Sequence, residues 1–365
     1  MKIYVAGAYT SKEMPIIIKD LEERGLIITH NWTLSVSREP ITDEILATEA
    51  DLDLEGVKAC DILVVYMSSD TYEYRGTMTE VGMALALNKE ILLYNPHHNG
   101  LFFQKMNVFY YHPLIKHYIS YNYLVRDLIL RTITIVAFTG PKECGKDTGS
   151  NLLNNGRIIS DRDTGYLAFA KNLKEICMTV FNLKEEDVYD TVLKEKDFDR
   201  PIILSKEHLV KINQELPKYL KPEIDLDTID HSKFEGLSMM RPRHLMQFVG
   251  TDYIRNNIDP LWNVNAFIGP RTINSLKVNG IYFITDMRFP NEYLFLKNLK
   301  LKNFMPFYIY RDRAEEMLQK SEHESERQVI EVRKLLEQDY GPKAVIYNNG
   351  SLKDFHYLLE TSTGL

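Results

Sequence analysis

Cysteine is scarce in this chain: Cys60, Cys144 and Cys177 are the only three in 365 residues. An odd number without metal-ligand spacing excludes a disulfide framework and fits reduced thiols. No apolar run approaches the roughly 20 residues that a membrane-spanning helix needs. The opening residues, Met1-Lys2-Ile3-Tyr4-Val5, read as a short strand and lack the apolar core and cleavage site of a signal peptide. A cytoplasmic location, without a membrane partner, is the expectation. Positive charge is also in deficit: 44 Lys and Arg against 51 Asp and Glu leave a formal net charge of -7. That balance argues against duplex nucleic acid or an anionic membrane as partner, yet permits a small anion held by a local cluster of cations. His208, His231 and His244 show no ligand spacing. No internal repeat, low-complexity tract or dinucleotide fingerprint occurs.

What is present suits a globular enzyme. Hydrophobic residues make up 44% and charged residues 26% of the chain, and its length exceeds the usual size of a single core. Two domains are expected, each α/β with a parallel sheet in a three-layer arrangement. Residues 2–6 and 133–138 are short β-branched runs, each ending in a glycine-bearing loop followed by helix-like sequence. An α/β domain begins in this way, and the chain starts one twice. Residues 61–67 (DILVVYM) and 90–94 (EILLY) read as buried parallel strands, with a helix over 79–88 between them. The aromatic stretch 102–123 leads into a helix near 124–130, which places the boundary at Arg131 and the domains at 1–130 and 131–365. Further strands are expected at 281–285 and 307–310, a helical insertion over 184–237, and an acidic loop from Asp225 to Asp230.

In the second half, Gly140-Pro141-Lys142-Glu143-Cys144-Gly145-Lys146 fits G-x-x-x-x-G-K directly after a strand. That context is what the motif requires, since its glycines let main-chain N–H groups converge on phosphate oxygens at a helix start. Asp147 stands where the usual loop has Ser or Thr for Mg²⁺, and Thr148 follows; a carboxylate is a hard oxygen donor and can take that place. The G-K-D-T form resembles the deoxynucleoside monophosphate kinases known chiefly from bacteriophages. Gly250-Thr251-Asp252-Tyr253-Ile254-Arg255 with Leu261-Trp262, Asp286-Met287-Arg288-Phe289-Pro290-Asn291-Glu292, His323-Glu324-Ser325-Glu326 and 346–351 are similar to further segments of that family, in the same order. The resemblance implies a P-loop kinase fold that uses ATP and Mg²⁺. Gly140, Gly145, Lys146, Asp147, Thr148 and Asn349 would hold the nucleotide, with Asp147 as metal ligand. Asp252, Arg255, Trp262, Arg288, Asn291 and Glu292 would bind the acceptor, with Arg311 or Arg327 as further cations. Asp286 would serve the metal's water or the acceptor.

In the first half, Gly7-Ala8-Tyr9-Thr10-Ser11 follows the first strand, and Asp51-Leu52-Asp53-Leu54-Glu55-Gly56-Val57 precedes the second core strand. Gly76-Thr77-Met78-Thr79-Glu80-Val81-Gly82-Met83-Ala84 follows, and Asn107-Val108-Phe109 comes later. These segments resemble the nucleoside 2-deoxyribosyltransferase family, which includes nucleotide N-glycoside hydrolases, and imply a flavodoxin-like or Rossmann-like fold. Breaking an N-glycosidic bond builds positive charge on the sugar, which a carboxylate on one face stabilises or captures as an ester. The resemblance gives that role to Glu80, proton transfer to Asp53 with Asp51 competing, and orientation of Glu80 or base stacking to Tyr9. Gly7, Arg75 and Gly76 would contact substrate. Transferases carry an Asp six residues before the nucleophile; here Tyr74 stands there, followed by Arg75, which suggests a phosphate near the sugar.

Together the two halves imply a bifunctional enzyme of deoxynucleotide metabolism, viral in source and at work in the host cytoplasm. Small deoxynucleotides are the expected partners, with a homo-oligomer through the first half as in its relatives. Two alternatives remain open for the first half: a non-catalytic nucleotide-binding regulator of the kinase, and an NAD-consuming nucleotidase.

Overall fold

In a computed structural model, residues 1–35, 42–69, 72–97, 108–155, 163–190, 192–218, 226, 229–267, 272, 275–320 and 324–365 are described. Phe102, Asn107, Asp225, Asp227 and His323, which the sequence singled out, lie outside these residues. The chain divides into two compact units, 1–133 with 276–279, and 134–275 with 280–365. No helix among the described residues is long and apolar enough to cross a membrane.

The amino-terminal unit is a five-stranded parallel sheet of β1 (Lys2–Gly7), β2 (Ile27–Ile28), β3 (Ile62–Tyr66), β4 (Glu90–Tyr94) and β5 (Ile115–Tyr118), in the order β2-β1-β3-β4-β5. That order is the flavodoxin-like one, whose ligand crevice opens where the chain reverses direction between β1 and β3. Every residue of β3 is buried, as expected of a strand covered on both faces. Around the sheet lie α1 (Met14–Glu23), α2 (Asp43–Ala59), α3 (Arg75–Ala86) and α4 (Tyr121–Leu130). Met14, Ile17, Ile18 and Leu21 give α1 one apolar stripe at helical spacing. Thr42 starts α2 by accepting a hydrogen bond from the Ile45 N–H, with Asp43 and Glu44 at the positive end of the helix. Gly56 lets α2 lie against β1: a Cβ there would come within 2.8 Å of the Tyr4 ring. Arg131, just past α4, grips both oxygens of Glu90 at 2.6 and 2.9 Å and so belongs to this unit's framework.

The carboxy-terminal unit holds a second parallel sheet of β6 (Thr134–Thr139), β7 (Thr164–Leu167), β10 (Ile281–Ile284), β11 (Asn303–Tyr310) and β12 (Val345–Tyr347), in the order β12-β11-β6-β10-β7. Strand β6 is central, so its carboxyl end borders the crevice formed where connections leave to opposite sides. Helices α5 (Lys146–Asn154), α11 (Pro290–Asn298), α12 (Asp312–Gln319), α13 (Glu324–Tyr340) and α14 (Leu352–Thr363) belong to this unit.

Between β7 and β10 lie α6 (Lys171–Phe181), α7 (Glu185–Tyr189), α8 (Lys206–Glu215), α9 (Pro242–Gln247) and α10 (Trp262–Phe267). The segment expected to be a helical insertion is mixed: its helices are joined by a small antiparallel ribbon of β8 (Ile202–Ile203) and β9 (Ser238–Met239). These elements pack around their own apolar cluster, including Cys177, Leu209, Ile212 and Phe248. After α9 the chain runs as a π-helix over Phe248–Arg255. Such stretches are rare and recur at functional sites.

Candidate active sites

In the amino-terminal unit the carboxyl ends of β1 and β3 open on a cavity of about 200 Å³. Glu80 reaches it from α3, and Asp53 and Glu49 reach it from one face of α2, one helical turn apart. Asp51 is exposed and is not among the cavity-lining residues, whereas Asp53 is. Beneath the carboxylates lies Tyr4, a fully buried residue of β1. Its hydroxyl stands 2.6 Å from Asp53 Oδ1 and 2.6 Å from Glu80 Oε1. A phenol has one proton to donate. Both short contacts are favourable together only when one of the two carboxyls carries a proton of its own.

The electrostatics favour retention of that second proton. Burial pushes Glu80 up to about 7, against the hydrogen bond from Tyr4, and the neighbouring charge of Asp53 adds to the rise. Burial also raises Asp53, while Tyr4 and His30 oppose it. His30 Nε2 lies 3.4 Å from Glu49 Oε2 and 3.6 Å from Asp53 Oδ1. The arrangement is a proton-sharing trio with an imidazole beside it.

The cavity walls are aromatic. Trp32, fixed by its indole N–H donating to the Val5 carbonyl at 2.8 Å, lines the cavity together with Tyr9 and Tyr72. Tyr9 lines the cavity with half its surface exposed, and the phenol that bridges the carboxylates is that of Tyr4, a strand residue. Gly7, Gly76 and Thr77 complete the floor, with the Thr77 hydroxyl donating to the Gly7 carbonyl at 3.1 Å. Arg75 departs from expectation. Its side chain is 85% exposed, pairs with Glu73 and is not part of the cavity lining, because it sits on the outer side of the first turn of α3. Tyr74, in the place of the transferases' Asp, is buried in the core and its hydroxyl accepts the Ser69 N–H at 3.0 Å.

In the carboxy-terminal unit, β6 runs into the loop 140–145 and then α5. Three residues of this loop have positive φ: Gly140 (140°), Glu143 (65°) and Gly145 (107°). Alternation of this kind turns successive N–H groups toward one point, the geometry of an anion nest. At Gly145 an added Cβ would run into the Asn348 amide, which itself donates to the Cys144 carbonyl at 2.8 Å. Lys146 is buried, and its ammonium donates to the Gly140 and Pro141 carbonyls at 2.8 and 2.7 Å. Asp147 and Thr148 are exposed in the first turn of α5. Asn349, expected beside the nucleotide, is exposed and its side chain accepts the Asp312 N–H at 2.9 Å; its neighbour Asn348 is the one that touches the loop.

A second cavity of about 130 Å³ lies at the carboxyl end of β10 and brings together Arg255, Trp262, Asp286, Arg288 and Glu292. Asp286 accepts main-chain N–H bonds from Phe169 (3.1 Å) and Ala170 (2.9 Å), which fixes the start of α6. Glu292 is buried and pushed up to about 7 by that burial, with the Asp286 charge adding to it. It accepts the N–H groups of Arg288 (2.7 Å) and Phe289 (3.1 Å) and the Asn263 amide (2.5 Å), so its bonds hold the cavity's frame. The Arg255 guanidinium lies 3.5 Å from the centre of the Phe289 ring. Asp252 and Asn291 are not among the lining residues: Asp252 is exposed on the π-helix, and the Asn291 amide is turned toward the Pro260 carbonyl at 3.4 Å.

Several groups had no motif to announce them. Tyr4 sits in a β-branched run and reads as core, and Trp32, His30 and Glu49 lie outside every segment singled out from the sequence. The pairing of Trp32 with His30 two residues earlier, just after a strand, is the one local signal that was available.

Residues 3–128 match the family model described as nucleoside 2-deoxyribosyltransferase. The match covers most of the amino-terminal unit and leaves the remainder of the chain outside it, so that unit is deoxyribosyltransferase-like. No curated protein matches the chain.

Proposed function

We propose that the amino-terminal unit cleaves or exchanges the N-glycosidic bond of a deoxynucleoside or deoxynucleotide, with Glu80 as the nucleophile. The observation that carries this is the Tyr4 hydroxyl set at 2.6 Å from both Asp53 and Glu80 on an aromatic-walled cavity. The Glu80 carboxylate attacks C1′, the C1′–N bond breaks, and the base departs with a proton from Asp53. Water or a second base then attacks C1′, the ester bond breaks and Glu80 is released as carboxylate, with Asp53 taking the proton back. The lining offers three carboxylates, Glu49, Asp53 and Glu80. Incubation with each deoxynucleoside and each dNMP, with free base followed by chromatography, tests the assignment. A second base added to the mixture separates exchange from hydrolysis. Release of no base from any substrate would sink it.

We further propose that the carboxy-terminal unit is a P-loop kinase that transfers the γ-phosphoryl group of ATP to a deoxynucleoside monophosphate. The alternating positive φ angles of the loop 140–145, set at the head of α5, support it. An oxygen of the acceptor phosphate attacks the γ-phosphorus, the bond to the β,γ-bridging oxygen breaks, and ADP leaves. Lys146 would exchange its two loop carbonyls for phosphate oxygens. Asp147 and Thr148 fit Mg²⁺, since they place a hard carboxylate and a hydroxyl in the open first turn of α5. Mg²⁺ bound there would neutralise charge on the triphosphate. Arg288 and Arg255 would meet the acceptor. Conversion of dNMP to dNDP by ATP, followed across the natural dNMPs, tests the proposal, and absence of ADP formation with all of them would refute it.

A further inference from the structure

Asn348 stands just past β12, on the far side of β11 from β6. The loop 140–145 meets it across the carboxyl end of β11. There Gly140 lies so close that an added Cβ would come within 2.6 Å of the Ile309 carbonyl oxygen. Main-chain bonds fix Asn348 in place. Tyr310 and Tyr347 are paired at the end of the ladder, and the Asn348 N–H donates to the Tyr310 carbonyl at 2.8 Å. Next along, the Asn349 side chain accepts the Asp312 N–H at 2.9 Å, and the Ser351 hydroxyl accepts the Asp354 N–H at 3.2 Å to open α14. From this base Asn348 Nδ2 donates to the Cys144 carbonyl at 2.8 Å. The orientation of the amide follows from chemistry, since a carbonyl only accepts and Nδ2 is the end that donates.

That bond governs one peptide. In a planar trans peptide the C=O and N–H point opposite ways, so a Cys144 carbonyl turned to Asn348 sends the Gly145 N–H away from it. Gly145 is the N-cap of α5, and its N–H is among the donors at a helix start that no carbonyl of the helix can take. An anion nest needs this N–H on its concave side, together with its neighbours. Glycine alone does not ensure that. Gly145 has φ 107°, which a side chain would resist, but glycine occupies both signs of φ about equally. The residue that permits the loop therefore also permits the 144–145 peptide to turn over, which would aim a carbonyl at the phosphates. A donor fixed outside the loop removes that freedom.

We infer that Asn348 is a positioning residue for phosphate binding: it pins the Cys144–Gly145 peptide so that the Gly145 N–H is set for a phosphate oxygen before the nucleotide arrives. The inference rests on the kinase proposal for the identity of the ligand, and on the bond between Asn348 and Cys144 for the pin. In this role Asn348 touches no substrate and acts through the loop. Its loss weakens every ligand that brings a polyphosphate by the same factor and spares the acceptor.

The test uses the full chain with ¹³C at the cysteine carbonyls and ¹⁵N in glycine. Cys144–Gly145 is the one Cys–Gly step in the sequence, so a carbonyl-edited NMR spectrum shows a single amide signal, that of Gly145. In the parent this signal is expected to move on addition of inorganic triphosphate with Mg²⁺, and to move the same way with MgATP. Asn348→Ala and Asn348→Asp both remove the donor, the second with almost no change of shape. Each is expected to shift or broaden the ligand-free signal. Each also weakens triphosphate and ATP by the same factor, about tenfold for the loss of one hydrogen bond, so KM for ATP rises while KM for dNMP stays. Matching melting temperatures exclude unfolding as the cause, and Asn348→Asp carries the comparison if Asn348→Ala does not fold. A parent signal that ignores both polyphosphates overturns the inference, as does unchanged affinity in the variants. Weakening of ATP without weakening of triphosphate would place Asn348 against the nucleoside and also overturns it. If ADP forms with the parental KM for ATP in the variants, the pin fails and the kinase stands. If Gly145 answers triphosphate in an Asn348-dependent way while no dNMP is phosphorylated, the kinase fails and the pin stands.

Discussion

Replacing Tyr4 with Phe removes one oxygen from a buried place and leaves the ring that packs against Gly56. Two carboxyls lose their shared hydroxyl. The hydrogen bond from Tyr4 favours the ionised form of Glu80 and of Asp53, so its loss raises both. A hydrogen bond to a charged group contributes ~1.5–3 kcal/mol, and each pH unit of displacement corresponds to ~1.4 kcal/mol, so the move is about one to two pH units. Glu80 must be ionised to attack. In the parent, kcat/KM for base release therefore climbs through about 7 as pH rises, and in Tyr4→Phe the same climb falls about one to two units higher. The assay is free base by chromatography from pH 5 to 10. A climb that stays at the parental pH, or moves lower, contradicts the shared-proton account. An equal loss at every pH would assign Tyr4 to contact with the transition state.

Three further outcomes are expected. Glu80→Gln abolishes base release but steadies the amino-terminal unit above neutrality. The raised pKa of Glu80 means that its contribution to stability is full below about 4.5 and is lost as pH climbs through about 7. Gln does not ionise, so urea midpoints read by Trp32 fluorescence in a Trp262→Phe background diverge above pH 5, by on the order of 2–3 kcal/mol at pH 8; coincident midpoints would refute this. Lys146→Ala ends dNDP formation and spares base release, while Glu80→Ala does the opposite, and a near-parental kinase rate in Lys146→Ala would remove the loop from the mechanism. Gly145→Ala forces a side chain into positive φ and against the Asn348 amide, so ATP affinity falls at least tenfold and the carboxy-terminal unit loses about 1–3 kcal/mol; unaltered ATP titrations would show that the loop tolerates a Cβ.

Much of the scaffold was open to a reader of the chain. Buried parallel strands are continuous apolar runs, so the segments at 62–66 and 90–94 announce themselves, and Gly140 and Gly145 mark a tight turn because their φ angles suit no other residue well. The ribbon Ile202–Ile203 with Ser238–Met239 was not open in that way, since two-residue strands have no periodicity to detect. The motif favoured Asp53 and left Asp51 competing. At 3.6 residues per turn, two positions are separated by about 200° around a helix, so only one can face the cavity, and the placement of α2 selects Asp53. Arg75 suggested a phosphate near the sugar because it follows Tyr74, where the transferases carry an Asp, but its side chain is exposed and pairs with Glu73.

By itself the sequence determined the main buried strands of both units, the glycines that its turns demand, and the identity of Glu80 as a carboxylate embedded in a helix start. Tertiary structure alone decided which distant groups meet. Tyr4 joins Asp53 and Glu80 across 49 and 76 positions of chain, and Lys142 reaches Glu195 from another element altogether. Local sequence sets backbone preferences through sterics and hydrogen bonding over a few residues. The protonation of a carboxyl and the charge balance of a cleft depend on burial and distance, which exist only once the sheets have formed and packed.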